Sequence, residues 1–183
     1  MRDGDVWHLV EARRDGDGAP TMFRIRELAP RRELATIFVV ELPYATAEMS
    51  RLPDAAAYRR AKQFEDEWVH PACAKLGWEL VAAKTCDGSF FLYMYGARDP
   101  RELVAKLAPF DGALAFYDDH DPQWEEYAAL RELLDRAKAV AAEGPRTSDI
   151  GHPPEKTKPA KKKKKPKQRE ARSKTKPAKR KRS

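Results

Sequence analysis

Four consecutive polar residues, Asp118-Asp119-His120-Asp121, form the group that most resembles a catalytic or metal-binding cluster. Carboxylates bind hard cations, and a histidine beside them can act as a general base. Because successive residues of a strand point to opposite faces, however, neighbouring carboxylates do not easily converge on one ion. We therefore favour a solvated or structural role and expect no catalytic residue, metal site or cofactor. The alternative is a carboxylate-assisted hydrolase that uses Asp118, Asp119 and His120.

The C-terminal segment is dense in cations. Residues 151–183 contain sixteen Lys or Arg and two Asp or Glu, a net charge of +14 in a chain whose total is +7, so the remainder carries −7. Cations at this density bind polyphosphate backbones through counterion release, without a fold and without reading base sequence. The residues predicted to bind nucleic acid are Lys161, Lys162, Lys163, Lys164, Lys165, Lys167, Arg169, Lys179, Arg180, Lys181 and Arg182.

This tail also resembles the Pro-Ala-Lys-rich tails of linker-histone-like DNA-binding proteins. It contains no aromatic residue, and five prolines interrupt it between residues 153 and 177, so we expect it to be disordered. An acidic protein partner, a ribosomal surface, or a solvated run that serves only solubility are the alternatives. The pattern does not distinguish DNA from RNA.

Composition divides the chain of 183 residues into two parts. All 4 Trp, 6 Tyr and 7 Phe lie before residue 128, which predicts a folded domain over residues 1–144 and a tail over 145–183. The sequence contains no apolar run of membrane-spanning length and no signal-peptide pattern. We expect a cytoplasmic protein that associates with the nucleoid or with RNA. The two cysteines, Cys73 and Cys86, are too few for a disulfide scaffold or a zinc cage.

Hydrophobic patterning in the first half predicts three strands and a helix. Alternating residues 5–11 and 21–26 form a hairpin around a Gly-rich turn, and residues 34–42 form a buried strand. Residues 54–76 have helical spacing, and we expect the helix to bend or restart near His70 because Pro71 removes a hydrogen bond.

In the second half, residues 78–86 and 89–95 flank Asp87-Gly88, a dipeptide favoured in tight hairpin turns. A short helix begins at Asp99-Pro100, a strand covers 112–117, and Asp121-Pro122 opens a final helix. The predicted fold is α+β, a ferredoxin-like βαββαβ core with an N-terminal β-hairpin and an extra C-terminal helix.

Aromatic residues offer two further candidate surfaces. Phe91, Tyr93 and Tyr95 alternate onto one face of a strand, which favours packing against a helix over a platform for stacked bases, because the RNA-binding signature is absent. Trp124 and Tyr127 lie three residues apart, so we expect them in the core, with a binding groove as the alternative. The histidines at positions 8, 70 and 152 have no partner evident in the sequence.

Three segments together resemble the domain-of-unknown-function 695 family. They are residues 63–68 (QFEDEW), the hairpin 84–95, and an Asp-Pro-x-Trp-x-x-Tyr motif at 121–127, and they span roughly residues 5–134. The motif residues to which we assign a structural role are Asp87, Gly88, Asp121, Pro122, Trp124 and Tyr127. A more distant likeness to the bacterial regulator B of ribonuclease E implies a protein-binding, inhibitory role. The resemblance implies a ferredoxin-like fold and supplies no catalytic residue.

These features favour a non-enzymatic binding or regulatory protein. Its body would engage a protein partner, and its basic tail would bind nucleic acid without sequence preference. Besides the hydrolase, a histone-like compaction protein in which the body matters little is an alternative. We expect no contact with a membrane.

Overall fold

The protein is described here from a computed structural model, in residues 5–14, 16–46 and 51–142. These residues form six strands and four α-helices. The strands are β1 (Trp7–Arg13), β2 (Pro20–Arg26), β3 (Thr36–Pro43), β4 (Glu79–Cys86), β5 (Ser89–Gly96) and β6 (Ala115–His120). The helices are α1 (Ala55–Phe64), α2 (His70–Leu76), α3 (Pro100–Leu107) and α4 (Glu125–Ala142), with a π-helical turn (Glu65–Val69) joining α1 to α2.

The strands form one sheet in the order β1-β2-β4-β5-β3-β6, with every neighbouring pair antiparallel. The predicted α+β class is therefore confirmed. The leading hairpin is also confirmed, because β1 pairs with β2 from Trp7 opposite Arg26 to Arg13 opposite Pro20. Of the helices in the described residues, none is long and apolar enough to cross a membrane.

Both faces of the sheet carry a hydrophobic core, and β5 contributes to both. One core contains Phe64 from α1 and Leu103 from α3, together with Met94 of β5. The other contains Tyr95 of β5 and Leu130 of α4. Successive side chains of a strand point to opposite faces, so one aromatic strand supplies both cores.

The turn between β4 and β5 has the predicted form. Cys86 pairs with Ser89 across the turn, and the φ angles of Asp87 and Gly88 are +46° and +92°. A two-residue hairpin loop of this type needs positive φ at both positions, which Asp-Gly tolerates better than most dipeptides.

The helical segment 55–76 is interrupted by the π-helical turn Glu65–Val69, and α2 restarts at His70, as the sequence predicts. The His70 amide donates to the Glu65 carbonyl, a bond one residue longer than in an α-helix. The turn lies immediately before Pro71, whose ring would otherwise clash with the helix backbone four residues earlier. Local widening of the helix thus accommodates the proline without ending the helix.

Two predicted boundaries near the acidic cluster are wrong. The sixth strand covers Ala115–His120 rather than 112–117, because it pairs with β3 in the register that places His120 opposite Thr36. It lies at the sheet edge, where a polar strand is tolerated. The last helix begins at Glu125, not at Pro122, because Trp124 just before it has a left-handed φ of +58°.

We predict that Gly96→Ala destabilises the protein by about 3 kcal/mol through overpacking. A Cβ atom at Gly96 would overlap the buried Trp78 indole ring. Gly77→Ala is the control, since Gly77 has a φ of +75° but open space around it, and it should cost only about 1 kcal/mol. Urea denaturation measures both. Equal losses in the free energy of unfolding of the two variants would mean that the Trp78 contact is unimportant.

Candidate functional site

The nucleic-acid-binding residues predicted in the tail, from Lys161 to Arg182, lie outside the described residues, as does His152. The other candidate sites belong to the body.

The acidic cluster is spread along the edge strand. Asp118, Asp119 and His120 are all exposed, and they are successive residues of β6 that alternate between its two faces. Among the described residues, the one group of three acidic, His or Cys side chains close enough to share a cation is Glu65, Asp66 and His70. The geometry that the hydrolase alternative requires is thus not formed by Asp118, Asp119 and His120.

Asp121 instead organises the start of α4. Its carboxylate accepts hydrogen bonds from the backbone N–H of Glu125 (2.8 Å) and of Glu126 (3.2 Å), which caps the helix. It also accepts a 2.5 Å hydrogen bond from the hydroxyl of Tyr95. Burial raises the pKa of Tyr95, and its hydrogen bond to Asp121 raises it further. Burial alone would raise the pKa of Asp121, but the bonds it accepts hold that pKa below its ordinary value.

The two motif aromatics lie in the core, as predicted. The Trp124 ring stacks on Tyr95 with centroids 4.1 Å apart, and its Nε1 donates to the Leu34 carbonyl at 3.0 Å. The Tyr127 hydroxyl donates to the Arg26 carbonyl at 2.8 Å. Pro122 lies in the turn before α4 and is not a helical residue. The motif therefore fastens α4 to the segment that follows β2.

Helix α4 also covers the aromatic face of β5. Tyr93 and Tyr95 are buried in the same core as Leu130 and Leu134 of that helix, and Phe91 packs partly buried against it. A base-stacking platform on this face is thus excluded.

We predict that Asp121→Ala lowers the free energy of unfolding by about 2 kcal/mol. The change removes the helix cap and leaves the Tyr95 hydroxyl without its acceptor. Asp119→Ala is the matched control on the exposed edge strand, where we expect a change within about 0.5 kcal/mol. Thermal and urea unfolding measure both. Similar losses in the two variants would contradict the capping role.

Neither cysteine is an activated nucleophile. Cys73 is buried, and burial raises the pKa of its thiol to about 12. Cys86 is half-buried, and burial is again the main cause of its raised pKa. Both thiols are free in the structure.

A groove with a volume of about 320 Å³ lies between α1 and the β1, β2 and β4 end of the sheet. Its walls are mostly apolar, and two of its lining residues, Leu9 and Tyr58, are large apolar or aromatic side chains that remain 72% and 56% exposed. The charged residues that line it are Arg24, Lys62 and Glu65.

Glu65 is a charged residue in a buried position, with 6% of its surface exposed. Its carboxylate forms an ion pair with Arg24 and lies 3.2 Å from Nε2 of His70 and 4.0 Å from Nζ of Lys62. The guanidinium of Arg24 also lies 4.9 Å from the ring centroid of Trp7. Burial by itself would raise the pKa of Glu65, but His70 and Arg24 outweigh it and hold the pKa below its ordinary value.

Sequence reasoning did not find this network. The sequence shows no evident partner for His70 or His8, but in the structure His70 contacts Glu65 and His8 contacts Glu27 at 2.7 Å. One signal was present, because Glu65 follows Ala61 by four residues on the face of α1 that the apolar spacing assigns to the core. Arg24, by contrast, lies 41 residues from Glu65 in sequence, and no local pattern links them.

Cationic side chains of the protein, rather than a metal ion, balance the carboxylates of this network. Glu65, Asp66 and His70 have ligand atoms within 4.8 Å of one another. Two cations already occupy these carboxylates, however, since Lys62 forms an ion pair with Asp66 and Arg24 with Glu65. A further divalent cation would be repelled by both.

We predict that Glu65→Gln destabilises the protein by about 2 kcal/mol at pH 7, because a charge-assisted hydrogen bond is lost and Arg24 keeps a partly buried charge. The folded-state pKa of Glu65 lies below its ordinary 4.5. Its ionised form therefore stabilises the fold above that pH, and the contribution is lost as the pH falls through the folded-state pKa.

The difference between wild type and Glu65→Gln should accordingly shrink in urea titrations below about pH 4.5. Asp66→Asn is the control, since Asp66 is an exposed neighbour whose pair with Lys62 should contribute about 0.5 kcal/mol or less. A difference in the free energy of unfolding between wild type and Glu65→Gln that stays constant from pH 7 to pH 3 would refute the ionised pair.

Comparison with known proteins gives one match. A family model described as a family of unknown function, DUF695, matches residues 5–130. No curated protein and no solved structure matches the chain.

Proposed function

The chain belongs to DUF695, a family of unknown function, and we propose that it is a non-enzymatic binding protein with two separate binding parts. The basic tail binds nucleic acid without sequence preference. The α+β body engages a protein partner and takes no direct part in phosphate binding.

We further propose that the body contains a ferredoxin-like core. The elements β3, α1, β4, β5, α3 and β6 follow one another as βαββαβ, and their strands lie in the order β4-β5-β3-β6. The β1–β2 hairpin extends this sheet beyond β4, and α4 covers its second face. The distant likeness to the regulator of ribonuclease E favours a protein partner for such a core.

The division of charge is the observation that carries the proposal. Residues 151–183 have a net charge of +14, whereas residues 1–150 have −7. Coulomb repulsion between the acidic body and phosphate opposes binding there, so affinity for nucleic acid must come from the tail. A long run of lysines gives such affinity through counterion release and needs no ordered surface.

The described part of the body favours binding over catalysis. Its acidic cluster is distributed along an exposed strand, and its thiols have raised pKa values. The buried carboxylate of Glu65 is already paired with cations.

We predict that the full chain binds unrelated duplex oligonucleotides with similar affinity and with strong salt dependence. If about six tail cations contact phosphates at once, log K against log salt should have a slope of about −5. Truncation after Gly144 should abolish binding, because the remaining chain has a net charge of −7. Fluorescence anisotropy at several salt concentrations measures this, with circular dichroism to verify that the truncated protein is folded.

The matched control removes cations from the body. Arg59, Lys75 and Lys106 are exposed on three different helices, and their triple substitution by Gln should leave the slope unchanged. Changing Lys161–Lys165 to Gln in the full chain should instead reduce the slope by several units. Undiminished binding by the truncated protein would place the nucleic-acid site on the body and overturn the proposal.

A further inference from the structure

We propose that the outer edge of β1 is a self-association surface, on which a second copy of this chain adds its own β1 as an antiparallel neighbour. In this pairing, Leu9 of one copy lies opposite Leu9 of the second copy on a two-fold axis. The proposal concerns contacts between two bodies. It does not depend on the function proposed for the tail or on the partner proposed for the body.

The outer edge of β1 presents free backbone groups. In the described part of the chain, β2 is the one strand beside β1. At the two ends of this pair, the Val6 carbonyl accepts a hydrogen bond from the Glu27 amide, and the Arg14 amide donates to the Ala19 carbonyl. Bonded and non-bonded pairs alternate along an antiparallel ladder, and the register between these ends is continuous, so even-numbered residues bond to β2. The residues whose N–H and C=O groups point outward are Trp7, Leu9, Glu11 and Arg13.

The two edges of the sheet differ in their side chains. At the β6 edge, Asp118, Asp119 and His120 are exposed, and charged side chains discourage pairing between edges. At the β1 edge, Leu9 is 72% exposed and Val6, directly before the strand, is 52% exposed. An edge strand with exposed apolar side chains is a template for another strand. The side chains therefore favour association at β1 over association at β6.

Charge complementarity selects the register. With Leu9 opposite Leu9 of the second copy, antiparallel pairing places Arg13 opposite Asp5 and Glu11 opposite Trp7. The pair of opposite charges is favourable, and the two-fold axis makes it occur twice. A shift by two residues in one direction sets Glu11 opposite Asp5, which are like charges. The same shift in the other direction sets Leu9 opposite the carboxylate of Glu11.

The Leu9 contact covers apolar surface that is open in the single chain. Side chains directly opposite each other in an antiparallel pair have Cβ atoms about 5 Å apart, so the two leucines exclude water from each other. The contact is small, however. A strand of seven residues is about 23 Å long, whereas stable interfaces bury about 1,200 Å² or more. The association is therefore weak and depends on protein concentration.

The test is sedimentation velocity of the full chain from about 10 to 500 µM protein. It is run in about 1 M NaCl, where the Debye length is about 3 Å, so that basic tails do not link chains by binding acidic bodies. We expect a monomer–dimer equilibrium with a Kd of about 100 µM or lower. A chain that stays monomeric throughout this range would overturn the proposal.

Leu9→Lys is the variant that tests the edge. It places two lysines opposite each other at the two-fold axis, and should weaken dimerisation at least tenfold. Val140→Lys is the matched control, because Val140 lies on α4, is 71% exposed and receives the same charge. It should leave the Kd within about twofold of wild type. Equal effects of the two variants, or an unchanged Kd for Leu9→Lys, would refute the β1 edge.

Single cysteine substitutions test the register. In the proposed pairing, the Cα atoms of the two Leu9 residues lie about 5.5 Å apart, within the range of about 4.4–6.8 Å that a disulfide spans. The two Glu11 residues are four positions out of register, about 14 Å apart. Leu9→Cys should therefore form disulfide-linked dimers on mild air oxidation.

Glu11→Cys and the wild type, which keep the native Cys73 and Cys86, are the controls and should not form such dimers. Disulfide-linked dimers of Glu11→Cys that are as abundant as those of Leu9→Cys would overturn the pairing.

Discussion

The stacking of Trp124 on Tyr95 is the contact on which the second face of the sheet depends. A six-stranded sheet whose first face carries α1, α2 and α3 must still cover its other face, and of the described helices α4 does so. Trp124 brings that helix to the sheet by placing its indole ring against β5, where its Nε1–H reaches the Leu34 carbonyl. The left-handed backbone at Trp124 accompanies this arrangement. Such a conformation is unfavourable for a bulky residue and persists only where packing over-determines it.

The added hairpin β1–β2 explains why the first face has a groove. In the proposed ferredoxin-like core, the helices span the four strands β4-β5-β3-β6, but two more strands extend the sheet beyond β4. The helical segments on the first face contact these two added strands through the ion pair between Arg24 of β2 and Glu65 of the π-helical turn. The space beside this pair stays open between Leu9 and Tyr58. Groove and buried charge thus have the same origin, a sheet wider than its helical layer.

Local signals in the sequence were sufficient for most of the fold. The Asp87-Gly88 turn, the Asp99-Pro100 helix start and the amphipathic spacing of 54–76 each depend on neighbouring residues, and each is found in the structure. The boundaries near Asp121 were wrong because they depend on long-range contacts. Pairing with β3 extends β6 through three polar residues, and the buried Trp124 delays the start of α4.

The groove was missed for the same physical reason. Its walls come from strands and helices far apart in sequence, and the partners Arg24 and Glu65 become neighbours only when β2 pairs with β4 beneath the helix. A periodic pattern can show that Glu65 shares a face with Ala61, but it cannot supply the cation that makes burial of a carboxylate tolerable. The residues of a local motif can therefore be recognised in advance, whereas those of a site between elements cannot.

The net charge of the body and the local charge beside the groove differ. Residues 1–150 carry −7 overall, which disfavours a polyanion, because a long phosphate backbone interacts with the summed field of the surface. The charges beside the groove interact chiefly with charges a few ångströms away, since exposed charges beyond a Debye length of about 10 Å are largely screened. At that distance the carboxylates of Glu65 and Asp66 balance the cations of Arg24 and Lys62. The excess of negative charge that repels nucleic acid is therefore a property of the body as a whole and not of the charges beside the groove.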